Sequence, residues 1–276
     1  MSESMNDLGN LCLHSITTRP WSIEEAAKKY AASGIRWISV WREALEGRDP
    51  ARVRRMLEKH GLGAVSLVRG GFFASVDREK RKVAIEENLR ALEEAAALKA
   101  PLLVLVCGAD PRQSLEDSRD QMREGIEGLI PVAEEVGIKL GIEPLHPMYA
   151  DTRSAINTLR QANDMVELIG SALVGVVVDV YHLWFDEDLE AQIKRCGRNK
   201  NLFAFHICDW KTPTADLLLD RGLMGEGCID VPQIRNWVEQ SGFSGFNEVE
   251  IFSNIYWAED QGVFFEKILE AYLKHS

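Results

Sequence analysis

The segment VGVVVDVYHLW, residues 174–184, is a short apolar run that ends on an acidic residue, and similar segments recur along the chain. Apolar runs of this length are typical of buried strands, and longer amphipathic stretches between them indicate helices. The alternation predicts repeated βα units and a parallel sheet. The predicted strands are residues 10–16, 36–41, 63–68, 101–106, 138–143, 174–179, 202–206 and 247–251.

Helix signals lie between these runs. Ser22 and Glu25 have the spacing of a capping box, and Gly34 stands where that helix would end. Residues 85–98 place apolar side chains at helical spacing. No Ser/Gly-rich linker interrupts the series, so we predict a single domain over residues 1–276.

Two architectures accept eight alternating units. A doubly wound open sheet often carries a Gly-rich phosphate loop, and neither GxGxxG nor GxxxxGK[ST] occurs here. The length of 276 residues is typical of a closed α/β barrel, which averages about 250 residues. The predicted fold is therefore an α/β (β/α)8 TIM barrel.

Charge and cysteine content narrow the function classes. A formal net charge of −11 repels polyanions, and the densest basic run, residues 78–82, is short and interrupted by a glutamate, so we expect no nucleic-acid partner. Five scattered cysteines without a CxxC pair predict neither a disulfide framework nor a thiolate zinc site. The polar N-terminus and the lack of an apolar run of about 20 residues predict a cytoplasmic protein with no membrane partner.

Four metal-ligand side chains stand at the ends of the last four predicted strands. They are Glu143, Asp179, His206 and Glu250. The C-terminal ends of parallel barrel strands meet at one rim, so these residues should converge there. Three carboxylates and an imidazole suit one hard divalent ion. Period 2 along the last strand leaves Glu248 as a rival ligand or a supporting residue one layer deeper.

Other residues near the same rim are candidate substrate contacts, although packing or solvent exposure explains each of them singly. Histidines can hydrogen-bond substrate oxygens, indoles can cover the apolar side of a sugar, and a guanidinium can hold an anionic or hydroxyl oxygen. Arg221 is expected in the long loop after the seventh strand. The candidates are His182, His146, Arg221, Trp41, Trp184, Trp210 and, more weakly, Trp257.

Two features leave the partners open. Arg42 and Arg69 each follow a predicted strand, where they can meet a phosphate or acid group or pair with rim carboxylates. The aromatic segment Gly71-Phe72-Phe73, if exposed, points to a partner surface and to a homodimer or homotetramer.

The segments IEPLHP, DVYHLW, FHICD, the Arg221–Asp230 loop and VEIFS resemble the sugar phosphate isomerase/epimerase family of xylose-isomerase-like barrels. The resemblance spans nearly the whole chain. It implies that Glu143, Asp179, His206 and Glu250 bind the metal, that His182 and Arg221 contact substrate, and that Glu143 and Glu250 form an acid–base pair.

The function expected from this resemblance is isomerisation or epimerisation of a ketose, inosose or related sugar or sugar phosphate through an enediolate. Mn²⁺, Mg²⁺, Co²⁺ or Zn²⁺ would polarise the carbonyl. The main alternative is a metal-dependent dehydratase or lyase of a keto-sugar, keto-cyclitol or dehydroshikimate-like compound. A metal-dependent endonuclease and a non-catalytic sugar-binding barrel are further alternatives.

Overall fold

A computed structural model of the protein describes residues 8–276, which form a closed parallel barrel surrounded by helices. Around the barrel the strand order is β1-β10-β7-β6-β5-β4-β3-β2, as expected for consecutive βα units. The barrel strands are β1 (Leu11–His14), β2 (Trp37–Trp41), β3 (Gly63–Gly71), β4 (Leu102–Val106), β5 (Lys139–Glu143), β6 (Val174–Asp179), β7 (Leu202–Ile207) and β10 (Asn247–Val249).

All eight predicted strands are confirmed, with end points shifted by a few residues. The sequence did not predict a short antiparallel pair above β7, formed by β8 (Asp209–Trp210) and β9 (Arg221–Gly222). The last predicted strand ends at Val249, so Glu250 lies immediately beyond it.

Ten helices surround the barrel or cover its ends within the described residues. Ser22 caps the first by accepting a hydrogen bond from the Glu25 backbone, and Gly34 ends it in the left-handed conformation, as predicted. The basic run at residues 78–82 forms the start of the third helix. The helices are α1 (Ile23–Ser33), α2 (Pro50–Lys59), α3 (Arg78–Leu98), α4 (Leu115–Val136), α5 (Leu159–Ile169), α6 (Val180–Leu183), α7 (Leu189–Asn199), α8 (Val231–Gln240), α9 (Asn254–Ala258) and α10 (Gln261–His275).

The apolar core is divided by the barrel wall. Val178 and Phe205 point outward into the large cluster between strands and helices. Val177 and Ala204 point inward into a smaller cluster that fills the barrel. The period of 2 therefore sends the polar strand-end residues of β5, β6 and β7 to the inside, as predicted.

Strand register sets the height of each polar residue. Asp179 pairs with His206 between β6 and β7, and His206 pairs with Glu248 between β7 and β10. Glu248 is therefore level with His206, and Glu250 stands two residues nearer the rim.

Other expectations fall on the outer parts of the molecule. Phe72 is 38% exposed but Phe73 is only 1% exposed, because its ring packs against Gly125 of α4. The prediction of an exposed aromatic pair is thus wrong for Phe73.

All five cysteines carry free thiols. Among residues 8–276 no helix has the length and apolar character needed to cross a bilayer.

Candidate active site

The four predicted metal ligands converge at the C-terminal mouth of the barrel. One ligand atom from each of Glu143, Asp179, His206 and Glu250 lies within 4.8 Å of the others, and all four side chains are buried. β5, β6 and β7 carry the first three, and the turn after β10 carries the fourth.

Several polar atoms in this quartet have no hydrogen-bond partner. They are Oε1 of Glu143, Oε1 of Glu250 and both ring nitrogens of His206, although His206 Nδ1 lies only 2.9 Å from Glu143 Oε1. A buried polar atom without a partner is costly, and a cation bound among these atoms would satisfy them. The donor set of three carboxylates and one imidazole therefore fits a divalent metal ion.

The buried charges perturb one another. Burial raises the pKa of Asp179 to about 7, with Arg221 opposing the shift. Burial by itself would lower the pKa of His206, but the carboxylate of Glu143 beside it and the charge of Glu248 raise that pKa to about 10. Such opposed shifts within one cleft are typical of functional sites.

Arg221 is placed differently from the prediction. Instead of a loop position, it occupies β9, where it is 3% exposed. Its Nη1 donates to Glu250 Oε2 at 2.8 Å and to Asp179 Oδ2 at 3.2 Å. Arg221 therefore holds two of the three quartet carboxylates. Its buried Nε–H has no partner among the described residues and remains a free donor.

His182 also lies inside the site instead of in a loop. It belongs to α6 and is 3% exposed, and its Nε2 lies 3.2 Å from Nη2 of Arg221. Because a guanidinium only donates, Nε2 accepts and the proton resides on Nδ1. Burial and the charge of Arg221 hold the pKa of His182 well below its usual range, so the ring is neutral. Its unpartnered Nδ1–H is therefore a second free donor.

The predicted tryptophans separate into two groups. Trp41 is 8% exposed, and its Nε1 donates to His14 Nδ1 at 3.1 Å, which ties it to the quartet. Trp257 packs against Phe252, and its Nε1 donates to the Ile16 and Thr17 carbonyl groups at the mouth.

Trp184, Trp210 and His146 form a second aromatic cluster on the side of β6 and β8. The Trp210 ring lies 5.6 Å from Trp184 and 5.2 Å from His146. It also stacks on Tyr181, which lies under the Arg221 guanidinium. The structure therefore connects this cluster to the quartet through Arg221.

Sequence analysis missed His14, which is fully buried at the end of β1. Its Nδ1 lies 3.0 Å from Glu250 Oε1 and its Nε2 lies 3.3 Å from Glu248 Oε2. Glu248, which also accepts a hydrogen bond from Ser39, is level with His206 and lies two residues deeper than Glu250. His14 ends the observed strand β1, but the predicted strand extended to residue 16, so the strand-end rule did not identify it.

Asp209 is the other residue that was missed. It is fully buried and accepts hydrogen bonds from the backbone N–H groups of Gly225, Gly227 and Ile229 at 2.8–3.0 Å. A Cβ at Gly227 would lie 2.0 Å from the Trp210 carbonyl oxygen, so only glycine fits this approach. Asp209 thereby fastens the segment that begins with Arg221.

Of the two arginines whose role the sequence left open, Arg42 forms ion pairs. It contacts Glu94 and Glu87 of α3, each at 2.7 Å. Its partners are thus helix carboxylates outside the quartet. Arg69 has no carboxylate within 4.0 Å among residues 8–276.

Comparison with known proteins identifies the family of the chain. The model of the xylose isomerase-like TIM barrel family matches residues 25–267, and the chain belongs to that family. The chain is 25% identical to the inosose isomerase of Bacillus velezensis over 228 residues, which cover 81% of this chain and 79% of the relative.

Solved structures show the same fold. A protein from Sinorhizobium meliloti 1021 superposes with a TM-score of 0.93 at 41% identity, covering 96% of this chain and 98% of that one. The IolI protein, crystallised with a zinc atom, superposes with a TM-score of 0.81 at 21% identity, covering 96% of each chain. The family resemblance expected from the sequence is confirmed.

Proposed function

We propose that this protein is a divalent-metal-dependent isomerase or epimerase of a ketose, inosose or related sugar, acting through an enediolate. The observation that carries the proposal is the buried quartet, whose ligand atoms lie within 4.8 Å of one another and include several without a hydrogen-bond partner. The relatives named inosose isomerase support a sugar substrate.

The metal would be held by Glu143, Asp179, His206 and Glu250. The IolI protein, which has the same fold, was crystallised with a bound zinc atom, and this supports a divalent ion as the ligand of the quartet. When bound, such an ion acts as a Lewis acid that stabilises the negative charge of an enediolate.

Glu143 and Glu250 are proposed as the acid–base pair. They stand on strands separated by β6 and β7 in the barrel order, so they face the cleft from different sides. Oε1 of each lacks a hydrogen-bond partner, whereas Oε2 of Glu250 is held by Arg221. One carboxylate can remove a proton next to a carbonyl and the other can return it on the opposite face or at the adjacent carbon.

His182 and Arg221 would orient the substrate. The Nδ1–H of His182 and the Nε–H of Arg221 are buried donors without a partner, and each can bind a substrate hydroxyl or carbonyl oxygen. Trp41, Phe252 and Trp257 form an apolar wall at the mouth that excludes water from the reacting carbon.

The test is solvent-deuterium exchange. Metal-loaded protein is incubated in D2O with ketoses, inososes and keto-acids, and label and products are followed by NMR and mass spectrometry. We expect an isomeric product with deuterium next to the carbonyl. Glu143→Gln and Glu250→Gln should each slow exchange about 100-fold or more, the contribution of a positioned acid or base.

Glu116→Gln, an exposed change at the start of α4, is the matched control and should leave the rate unchanged. Full exchange in the two site variants with metal bound would contradict the acid–base assignment. A product lighter by one water would instead identify a dehydratase.

A further inference from the structure

Two arginines near the barrel mouth form no ion pair with any described residue. Arg69 lies near the end of β3 and Arg153 lies in the loop after β5, and both are partly buried. Within residues 8–276 no carboxylate comes within 4.0 Å of either guanidinium, and neither guanidinium forms a hydrogen bond. By contrast, Arg42, Arg195 and Arg221 are each paired with two carboxylates.

A β-bulge turns Arg69 toward the mouth. The register between β3 and β4 shifts so that Val68 pairs with Val104 and Gly70 with Leu105, which leaves Arg69 as the extra residue. Val68 faces the barrel interior, and Gly70 faces Leu105 and α3 on the outside. Bulges of this kind redirect a side chain and are common beside active sites.

Aromatic rings support both guanidinium groups. The Arg69 guanidinium lies 4.6 Å from the Phe72 ring and 5.8 Å from the Trp41 ring. The Arg153 guanidinium lies 5.4 Å from the Tyr149 ring. Stacking uses the face of a guanidinium and leaves its edge N–H groups free to bind an anionic group in a bidentate manner.

Each arginine stacks on a ring that contacts a histidine beside the quartet. Trp41, under Arg69, donates to His14, and Tyr149, under Arg153, lies 5.9 Å from the His182 ring. Burial and then the charge of Arg153 lower the pKa of Arg69, while the charges of Glu43, Glu143 and Glu250 oppose this. Two like charges held in one region, with no described carboxylate in ion-pair contact, disfavour the empty site and favour an anion between them.

We infer that the substrate of this enzyme carries an anionic group, a carboxylate or a phosphate ester, that Arg69 and Arg153 bind together at the end remote from the reacting carbon. This inference rests on the proposed isomerase or epimerase function of the same site. It narrows the substrate class from sugars in general to sugar acids or sugar phosphates.

The first arm of the test compares fructose, fructuronate and fructose 6-phosphate in the deuterium-exchange assay. These compounds share a ketose centre and differ in the charged group. We expect kcat/KM for one of the two anionic compounds to exceed that for fructose by at least 10-fold, and the better of the two distinguishes carboxylate from phosphate.

Arg69→Met and Arg153→Met keep an apolar stem and remove the charge. Each should lower kcat/KM for the preferred anionic compound by at least 10-fold, mainly through KM, and should lower kcat/KM for fructose by a smaller factor. Arg52→Met, on the exposed face of α2, is the charge-matched control and should change neither. Arg69→Lys retains the charge and should recover part of the lost kcat/KM for the anionic compound. It replaces Arg69→Met as the test variant if the methionine variant fails to fold.

The second arm measures sulfate and acetate binding to the metal-loaded protein by calorimetry. Binding that Arg69→Met weakens and Arg52→Met leaves intact supports the inference even if no compound exchanges and the proposed function fails. If exchange is as fast with fructose as with the two anionic compounds and Arg69→Met does not change it, the inference is overturned and the proposed function stands. The inference is also overturned if no compound exchanges and neither Arg69→Met nor Arg153→Met changes the binding of sulfate and acetate.

Discussion

Replacement of Arg221 by methionine tests whether the buried charge network of the site depends on one guanidinium. Arg221 is 3% exposed and donates to Asp179 at 3.2 Å and to Glu250 at 2.8 Å. Methionine keeps the apolar contact with Tyr181 and Phe252 but leaves both carboxylate oxygens without this donor. Breaking a buried pair in this way costs about 3–5 kcal/mol.

The expected change in melting temperature follows from chain length. At roughly 2.1 cal/mol/K per residue, 276 residues have an unfolding entropy near 0.6 kcal/mol/K, so Arg221→Met should lower the Tm by roughly 5–9 °C. Calorimetry at pH 8 in the presence of a chelator measures this value. At that pH Asp179 is mainly ionised, because its pKa is raised only to about 7.

A divalent ion distinguishes charge loss from packing loss. Since the ion would replace the missing positive charge, the deficit of Arg221→Met should shrink when Mn²⁺ or Zn²⁺ is present. Arg235→Met, which removes an i,i+4 ion pair on α8, is the control and should cost about 0.5 kcal/mol or less. A deficit below about 1 kcal/mol in the metal-free protein, or one that metal does not change, would show that Arg221 is not the required counter-charge of these carboxylates.

Three further predictions concern the residues around the quartet. His14→Gln should weaken metal affinity about 10- to 100-fold in calorimetric titration, because His14 supports Glu250 and Glu248; unchanged affinity would remove that role. Asp209→Asn should cost about 1–3 kcal/mol and speed amide exchange at residues 225–229, which hydrogen-exchange mass spectrometry measures. The free energy of unfolding of Asp179→Asn should rise relative to that of the metal-free wild type between about pH 4 and about pH 7. The reason is that the raised pKa of Asp179 makes its ionisation destabilising in the folded state. Parallel stability curves for the two proteins would contradict this.

The local pattern of the chain determined the barrel and most of the site. Each strand is an apolar run with period 2, and this periodicity is a property of the strand itself, independent of its neighbours. Because parallel strands end at one rim, Glu143, Asp179 and His206 could be grouped from their strand-end positions alone. The Ser22 cap and the Gly34 helix end were equally local.

The tertiary structure decided which polar groups face one another. The Arg221 pairing with Asp179 and Glu250 depends on the short β8–β9 pair and on Asp209, which holds the backbone 16–20 residues further along the chain. Likewise, Arg42 and Arg69 look alike in sequence. Only the position of α3 and the bulge in β3 give one of them two carboxylates and leave the other without any. Electrostatic partnership depends on distances of a few ångströms between remote segments, and strand periodicity carries no information about those distances.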